Sequence, residues 1–386
     1  MHITRYCGLS QQLFICLTEK EMPTLESELI LTPEKKGIRV AIEPAVNALG
    51  SLIFLSRVDD YSGLDPWVVK TAASLDQELL QANLVVMQGL FYAWEPDRSW
   101  PSFMSFVDHL EATDPLVLRD RVLDTYTELP CKKEKEAELT PISKDELLAD
   151  FTTFITYLRS KFGEEHVDET IEEEAYNLLL KPKKMRSYIV SHFRTMWTEV
   201  LEIEWERVYP LLDESALAFQ NVDFSQMTPQ EAVRYITGQT DDKLGWLIEK
   251  SNHLVFIPTT HSGPYSYPFI SEDTGWVLFN ARLPEGLPGS ASVLSRTELL
   301  VRLTALADET RLSILAITNE RGQICSQELI DILQMSQSSI SRHLRQLSAS
   351  GFLRVHRTEA GKCYTQNPER LKDTLRALEV LFNERS

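Results

Sequence analysis

The chain has 386 residues, 43% of them hydrophobic and 25% charged, a composition that supports substantial cores in two or three domains and excludes an intrinsically disordered chain. Its formal charge is -18, but the acid is unevenly spread: from Ser295 onward there are 13 Lys and Arg against 11 Asp and Glu. An acidic body repels a nucleic-acid duplex and leaves the last domain as the place for any such contact.

Residues 1–22 read as a loosely held tail or an artefact of the start site. The apolar run Leu13 to Leu17 is too short for a signal or a membrane span, and no later stretch is long enough, so no membrane association is expected. Residues 23–127 form an N-terminal helical region. Glu28 to Leu31 and Gly37 to Ile42 look like two short strands of a small ladder. Pro44 opens a helix carrying Val46, Leu49, Leu52, Ile53 and Leu55, and further helical patterns run from Pro66 to Leu75, Asp76 to about Trp94, Trp100 to Leu110 and Pro115 to about Thr127. Residues 128–142 are a charged linker or a single exposed helical turn.

Residues 143–252 form a second helical region. It starts at a capping box of Ser143 with Glu146 and includes a long pattern from Met185 to about Leu212, with Trp197, Val200, Leu201, Trp205, Val208 and Leu211 at helical spacing. The character changes at His253. Three runs, 253–258, 264–270 and 275–282, read as strands with Gly and Pro punctuation, predicting a small antiparallel sheet over 253–283. Pro284 to Ser290, with two glycines and two prolines, reads as a hinge within 284–294.

The last segment, 295–386, carries the most informative pattern. Leu329, Ile330 and Leu333 mark one helix; a tight Gln334-Met335 connection follows, and Ser336 is placed to cap the next helix. In that helix Ile340, Leu344 and Leu347 fall on one inward face, while Gln337, Ser338, Ser341, Arg342 and Arg345 point outward. Two such helices read as a helix-turn-helix whose second helix offers base-reading side chains to the major groove. Leu353, Val355 and Arg357 then alternate with Arg354 and His356, Glu359-Ala360-Gly361 turns, and Lys362 to Gln366 runs back, a β-wing with basic residues near its tip.

The run Asp308-Glu309-Thr310-Arg311-Leu312-Ser313-Ile314-Leu315, the Ser-Gln-x-x-Ile-Ser-x-His-Leu-x-x-Leu segment from Ser336 and the Gly351-Phe352-Leu353 exit resemble the winged helix-turn-helix of the arsenic-repressor (ArsR) family. The resemblance covers roughly the last quarter of the chain. It implies a transcriptional regulator, a repressor, that binds double-stranded DNA as a homodimer, with Gln337, Ser338, Ser339, Ser341, Arg342, His343, Arg345, Arg357 and Lys362 as the DNA-binding set. The body, through Pro44 to Leu52, Pro66-Trp67-Val68, Leu254-Val255 with Pro258, and Ala281-Arg282, is similar to ArsR-type regulators with a long helical N-terminal extension. In thiol-using members the first helix of the pair carries C-x-C; here Cys325-Ser326-Gln327 keeps one thiol, and one soft ligand does not hold a thiophilic metal.

The five cysteines, Cys7, Cys16, Cys131, Cys325 and Cys363, are odd in number and include no C-x-x-C pair, which predicts no disulfide framework and a reducing cytoplasm. The distance between Cys363 on the wing and Cys325 is not readable from sequence, so redox sensing stays open. No two of the eight histidines lie at i, i+3 or i, i+4, and there is no Gly-rich phosphate loop, G-x-S-x-G elbow or H-E-x-x-H motif. No enzymatic activity, cofactor or metal is therefore expected. His261, Tyr265, Tyr267, Phe269, Trp276 and Phe279 form either a binding surface for a small-molecule or protein effector or the packing of the sheet. The sequence thus predicts a mainly α (α+β) fold: a helical N-terminal body with small β elements, followed by a C-terminal winged helix-turn-helix domain. A protein-interaction adaptor with a vestigial winged helix is the alternative.

Overall fold

Pro44 starts the helix Pro44–Leu55, where a missing N–H leaves no bond unmade, and every residue from Ala45 to Leu55 is buried. A helix buried on all sides belongs at the centre of a core, and this one, with Asn47 and Ser51 its polar members, anchors the first of two compact units. In the computed structural model, which describes residues 37–128, 141–239, 244–271, 273–284, 294, 296–358 and 361–383, that unit comprises Glu43–Asp60 and Val69–Glu206. The second comprises residues 37–42, Tyr61–Val68 and the chain from Arg207 onward.

The first unit is helical. Asp76 caps Gln77–Leu84 by accepting from the Leu79 N–H, and the helix continues through a wide π turn, Val85–Gly89, into Phe91–Trp94. Gly89 sits where a Cβ would come within 2.7 Å of the Ala175 methyl, so the helix Glu169–Leu179 packs directly on this backbone. Reciprocal caps, Ser102 with Ser105 and Ser143 with Glu146, start the helices Phe103–Ala112 and Lys144–Leu147. The long pattern expected from Met185 is present as Pro182–Met196, a second π turn Trp197–Leu201, and Glu202–Gln220. Phe193 fills the centre, its ring 5.7 Å from that of Trp94 and 5.6 Å from that of Phe103. Buried Asn83 donates to the Leu52 carbonyl and meets His192 at 3.0 Å.

The second unit contains a sheet and a small helical domain. Strand β1 (Gly37–Val40), helices α1 (Pro229–Thr237) and α2 (Gly245–Lys250), and strands β2 (His253–Thr259), β3 (Tyr267–Ser271) and β4 (Thr274–Asn280) come first. The strand order is β1-β2-β4-β3. Val40, Leu254, Phe256, Val277 and Phe279 bury one face against Phe219, Ile236 and Leu247.

This sheet corrects the antiparallel expectation. β1 runs parallel to β2, β2 runs parallel to β4, and only β3 is antiparallel to β4. The reason is visible in burial: β2 is buried from Leu254 to Thr259 and β4 from Gly275 to Phe279, continuous rather than alternating, as in central parallel strands covered on both faces. The other strand of the ladder expected before β1, Glu28 to Leu31, lies outside the described residues; among them β1 pairs with β2. The linker at 128–142 and the hinge at 284–294 also lie almost wholly outside them.

The C-terminal part continues with α3 (Arg296–Leu306), α4 (Glu309–Arg321), β5 (Gln323–Cys325), α5 (Ser326–Leu333), α6 (Gln337–Ala349), β6 (Leu353–Thr358), β7 (Gly361–Gln366) and α7 (Pro368–Asn383). The Asp-x-x-Arg of the sequence motif is a double helix stop. Asp308 caps α4 through the Arg311 N–H, while the Arg311 guanidinium donates to the carbonyls of Thr304 and Ala305 at the end of α3. Ile314, Ile324, Leu329, Ile340, Leu344, Leu347 and Phe352 share one core over a sheet ordered β5-β7-β6. Gln334, between α5 and α6, is the one non-glycine with a positive φ (52°) among the described residues, and this left-handed turn sets the α5–α6 angle.

A second correction concerns the cysteines. Cys325 and Cys363 are register partners on β5 and β7, and their sulfurs are bonded as a disulfide. The spacing of cysteines in sequence concealed this because the ladder, not the chain, brings them together.

Candidate nucleic-acid interface

The helix α6 is built to stand with one edge free. Ser336 accepts from the Ser339 N–H at 3.3 Å, closing its N-terminus, and Ile340, Leu344 and Leu347 are buried beneath it. Gln337, Ser341 and Arg342 are exposed together on the first turns, with Ser338 and Ser339 half-buried beside them. A serine hydroxyl, a carboxamide and a guanidinium on one edge can donate to and accept from base edges and phosphates. On the following hairpin, Lys362 is exposed and stands opposite Arg357 in the β6–β7 register. The Ser326 hydroxyl donates to the Lys362 carbonyl at 3.2 Å, tying the start of α5 to the hairpin.

Two of the expected residues face elsewhere. His343 turns toward α4, its Nδ1 3.6 Å from an Asp308 carboxylate oxygen. Burial pushes its pKa below the usual histidine range; Asp308 opposes this, and Arg311 and Arg342 add to it, so the ring is neutral at pH 7. Arg345 is half-buried, with its guanidinium 5.3 Å over the ring of Tyr61.

The surroundings of Arg345 were not foreseen from sequence. The Tyr265 hydroxyl donates to the Ser62 carbonyl at 2.7 Å, the Tyr61 and Tyr265 rings meet edge-on at 4.8 Å, and Trp67 stacks on His261 at 4.6 Å. Gly63 (φ +82°) lies so close to α6 that a Cβ would fall 2.2 Å from the Gln346 carboxamide nitrogen. The turn-forming Tyr61-Ser62-Gly63 is its only sequence signal, and its partner is far away in the chain. Of the aromatic group read as either a binding surface or the packing of the sheet, Tyr265 and His261 serve this loop, Phe269 stacks on Trp276, and Phe279 packs on Phe219 and Phe256.

A buried ionic cluster supports the domain from behind. Glu298 of α3 accepts from Arg302 at 2.5 Å and lies 3.4 Å from Arg370 of α7 and 3.5 Å from Arg282, just past β4. Burial raises its pKa, but the three guanidinium groups outweigh that and hold the carboxyl below its usual range. Among the described residues no group of three or more His, Cys, Asp or Glu side chains could hold a metal, and no helix is long and apolar enough to cross a membrane.

A capped, edge-exposed helix following a tight turn from a shorter one, on a core closed by a three-stranded sheet, defines a helix-turn-helix unit. A helix-turn-helix domain model matches residues 306–356. Over 48 residues the chain is 50% identical to the arsenical resistance operon repressor of Escherichia coli, which covers 12% of this chain and 41% of the repressor. It is 39% identical over 64 residues to an arsenic resistance transcriptional regulator of Pseudomonas putida, 17% of this chain and 50% of that one. Over 77 residues it is 31% identical to an uncharacterized HTH-type transcriptional regulator of Methanocaldococcus jannaschii, 20% of this chain and 86% of that protein. The chain thus spans about half the length of the arsenic regulators it matches. No solved structure matches it. The chain belongs to the ArsR-type helix-turn-helix transcriptional regulators, and it carries a long N-terminal extension.

Proposed function

We propose that the protein regulates transcription, as a repressor in the cytoplasm, by binding double-stranded DNA as a homodimer through a winged helix. The observation that carries this is the free edge of α6, where Gln337, Ser341 and Arg342 stand exposed over a buried Ile340, Leu344 and Leu347. In this arrangement Gln337, Ser338 and Ser341 read bases, Arg342 contacts a base or phosphate, Ser339 gives its N–H to the Ser336 cap beside them, and Arg357 and Lys362 follow the neighbouring phosphates as a wing. Dimerisation is supported by apolar side chains left open on the terminal helices: Leu300 on α3, and Leu375, Leu381 and Phe382 on α7, the last of these 77% exposed. The body is the place for a small-molecule or protein effector, because the Tyr61–Tyr265 contact reaches α6 itself.

The test is a gel shift of the full chain against the DNA upstream of its own gene at two salt concentrations. Saturable binding that weakens with salt and is lost in Arg342→Ala is the expected result. Equal binding by wild type and a Gln337→Ala/Arg342→Ala double variant at both salts would falsify the interface.

A further inference from the structure

Cys325 and Cys363 occupy a place in which a covalent bond has mechanical consequences for the DNA-binding unit. They face each other in the β5–β7 register with their sulfurs bonded. Cys325 is the residue immediately before α5, the first helix of the pair, and its N–H is held by Glu328 at 2.9 Å. Cys363 follows the exposed Lys362 on the hairpin and is itself wholly buried. β5 is only three residues long, so without the sulfur bridge the Lys362–Cys363 edge of the hairpin is held to the start of α5 by a short ladder and the Ser326 to Lys362 hydrogen bond, while Leu353 and Tyr364 anchor the rest of the hairpin in the shared core.

We propose that this pair is a reversible thiol–disulfide site that sets the DNA affinity of the domain, the oxidised state being the tighter binder. The proposal rests on the DNA-binding function above and adds its regulation. Exposure assigns the roles. Cys325 is half-buried and reachable, so its thiolate attacks one sulfur of a low-molecular-weight disulfide, forming a mixed disulfide and releasing one thiolate. The deprotonated Cys363 sulfur then attacks the Cys325 sulfur, closing the internal bond and releasing the second thiolate. Two electrons pass from the protein to the small disulfide, and the two cysteine protons go to solvent or to the released thiolates. A dithiol reverses both steps. In a DNA-binding protein working among reducing thiols, a disulfide is transient and reports redox state. Oxidation fixes the hairpin, and with it Lys362, against the start of α5; pre-organised groups bind with less ordering cost.

The experiment uses the full chain, oxidised with a low-molecular-weight disulfide or reduced with a dithiol, then alkylated and weighed. With five cysteines in the chain, loss of two alkylation sites on oxidation, mapped to the peptides holding Cys325 and Cys363, is expected. The same samples are titrated with upstream DNA in parallel. Oxidised protein should bind at least about fivefold more tightly, the low end of coupling between linked sites, and Cys325→Ser and Cys363→Ser should both abolish the difference. Circular dichroism of each variant against reduced wild type controls for folding, and each variant should bind as reduced wild type does. Two free thiols at these positions after oxidation, or a bond that forms without changing affinity, overturns the proposal. Failure of the parent function has a different signature: the bond forms, and neither redox state shifts any duplex, which removes the switch together with its output.

Discussion

The Arg345 guanidinium lies 5.3 Å over the ring of Tyr61, so a cation on α6 is engaged by a residue nearly three hundred positions earlier in the chain. Arg342, one turn earlier in position, stays exposed. The two arginines, about 60° apart on a helical wheel, therefore sit in different surroundings.

Arg342→Ala is expected to weaken DNA binding by about 1–3 kcal/mol if the side chain meets a base, or to lower the salt slope by about one if it meets phosphate. Arg345→Ala and Tyr61→Ala should instead cost about 0.5–1 kcal/mol of stability, the size of a cation–π contact that is partly exposed. Gel shifts and urea unfolding on the same three variants separate the effects; a DNA loss in Arg345→Ala matching that of Arg342→Ala would contradict the assignment.

Gly263→Ala should loosen the loop that backs Tyr61. At this residue φ is +57°, and a Cβ would come 2.0 Å from the Gly63 carbonyl oxygen, a backbone atom with no flexible end to yield. A loss above about 1 kcal/mol is expected, since alanine at a positive φ in a tight contact is strained. A melting temperature equal to that of wild type would count against the packing described.

Removing the carboxylate at Glu298 strands three guanidinium groups around one buried point. Glu298→Ala should destabilise the second unit by about 3–5 kcal/mol, the range for breaking one side of a buried ion pair. The pH dependence follows from the lowered pKa. The cluster's contribution is complete above the unfolded carboxyl value and is lost as pH falls through the lower, folded one, so acid unfolding monitored by circular dichroism should begin at higher pH in the variant.

Glu172 in the first unit works in the opposite direction. It is fully buried, and burial, with help from Asp168, raises its pKa from 4.5 to about 8. The native state keeps a proton that the unfolded chain releases, so stability falls as pH rises from 4.5 toward 8. Glu172→Gln should match wild type near pH 4 and exceed it at pH 8.5 by on the order of a few kcal/mol, given about 1.4 kcal/mol per pKa unit. Denaturant unfolding at the two pH values tests this; equal pH slopes would exclude a buried neutral carboxyl.

The helix-turn-helix was legible in sequence because its determinants are local. The Ser336 cap and the Ile340, Leu344 and Leu347 stripe lie within one helix, and a 3.6-residue period reports them directly. Strand direction was not legible. Leu254 to Ile257 and Trp276 to Phe279 announce strands, but which strand neighbours which depends on partners elsewhere in the chain, and β4 is placed between β2 and β3. The Cys325–Cys363 pair and the Tyr61 contact share that difficulty. Each is created by register or by loop approach, neither of which leaves a periodic trace. His343 shows a subtler limit: the family resemblance put it in the DNA-binding set, and its ring turns toward Asp308 at the start of α4.

The pairing of β1 with β2 orders events during synthesis. Gly37 meets His253 and Val40 meets Phe256, so β1, the first strand among the described residues, waits for this partner until more than two hundred further residues have left the ribosome. By then the helices of the first unit have been delivered and can fold on their own contacts, which are nearer in sequence. The edge that β1 will give to β2 is thus made early, and its brevity, four residues with Arg39 among them, suits a segment that must avoid other chains while it waits. Slow elongation between the two strands lengthens that wait, whereas the helix-turn-helix domain, with each of its described strands encoded after Gly322, is assembled last and from a short stretch of chain.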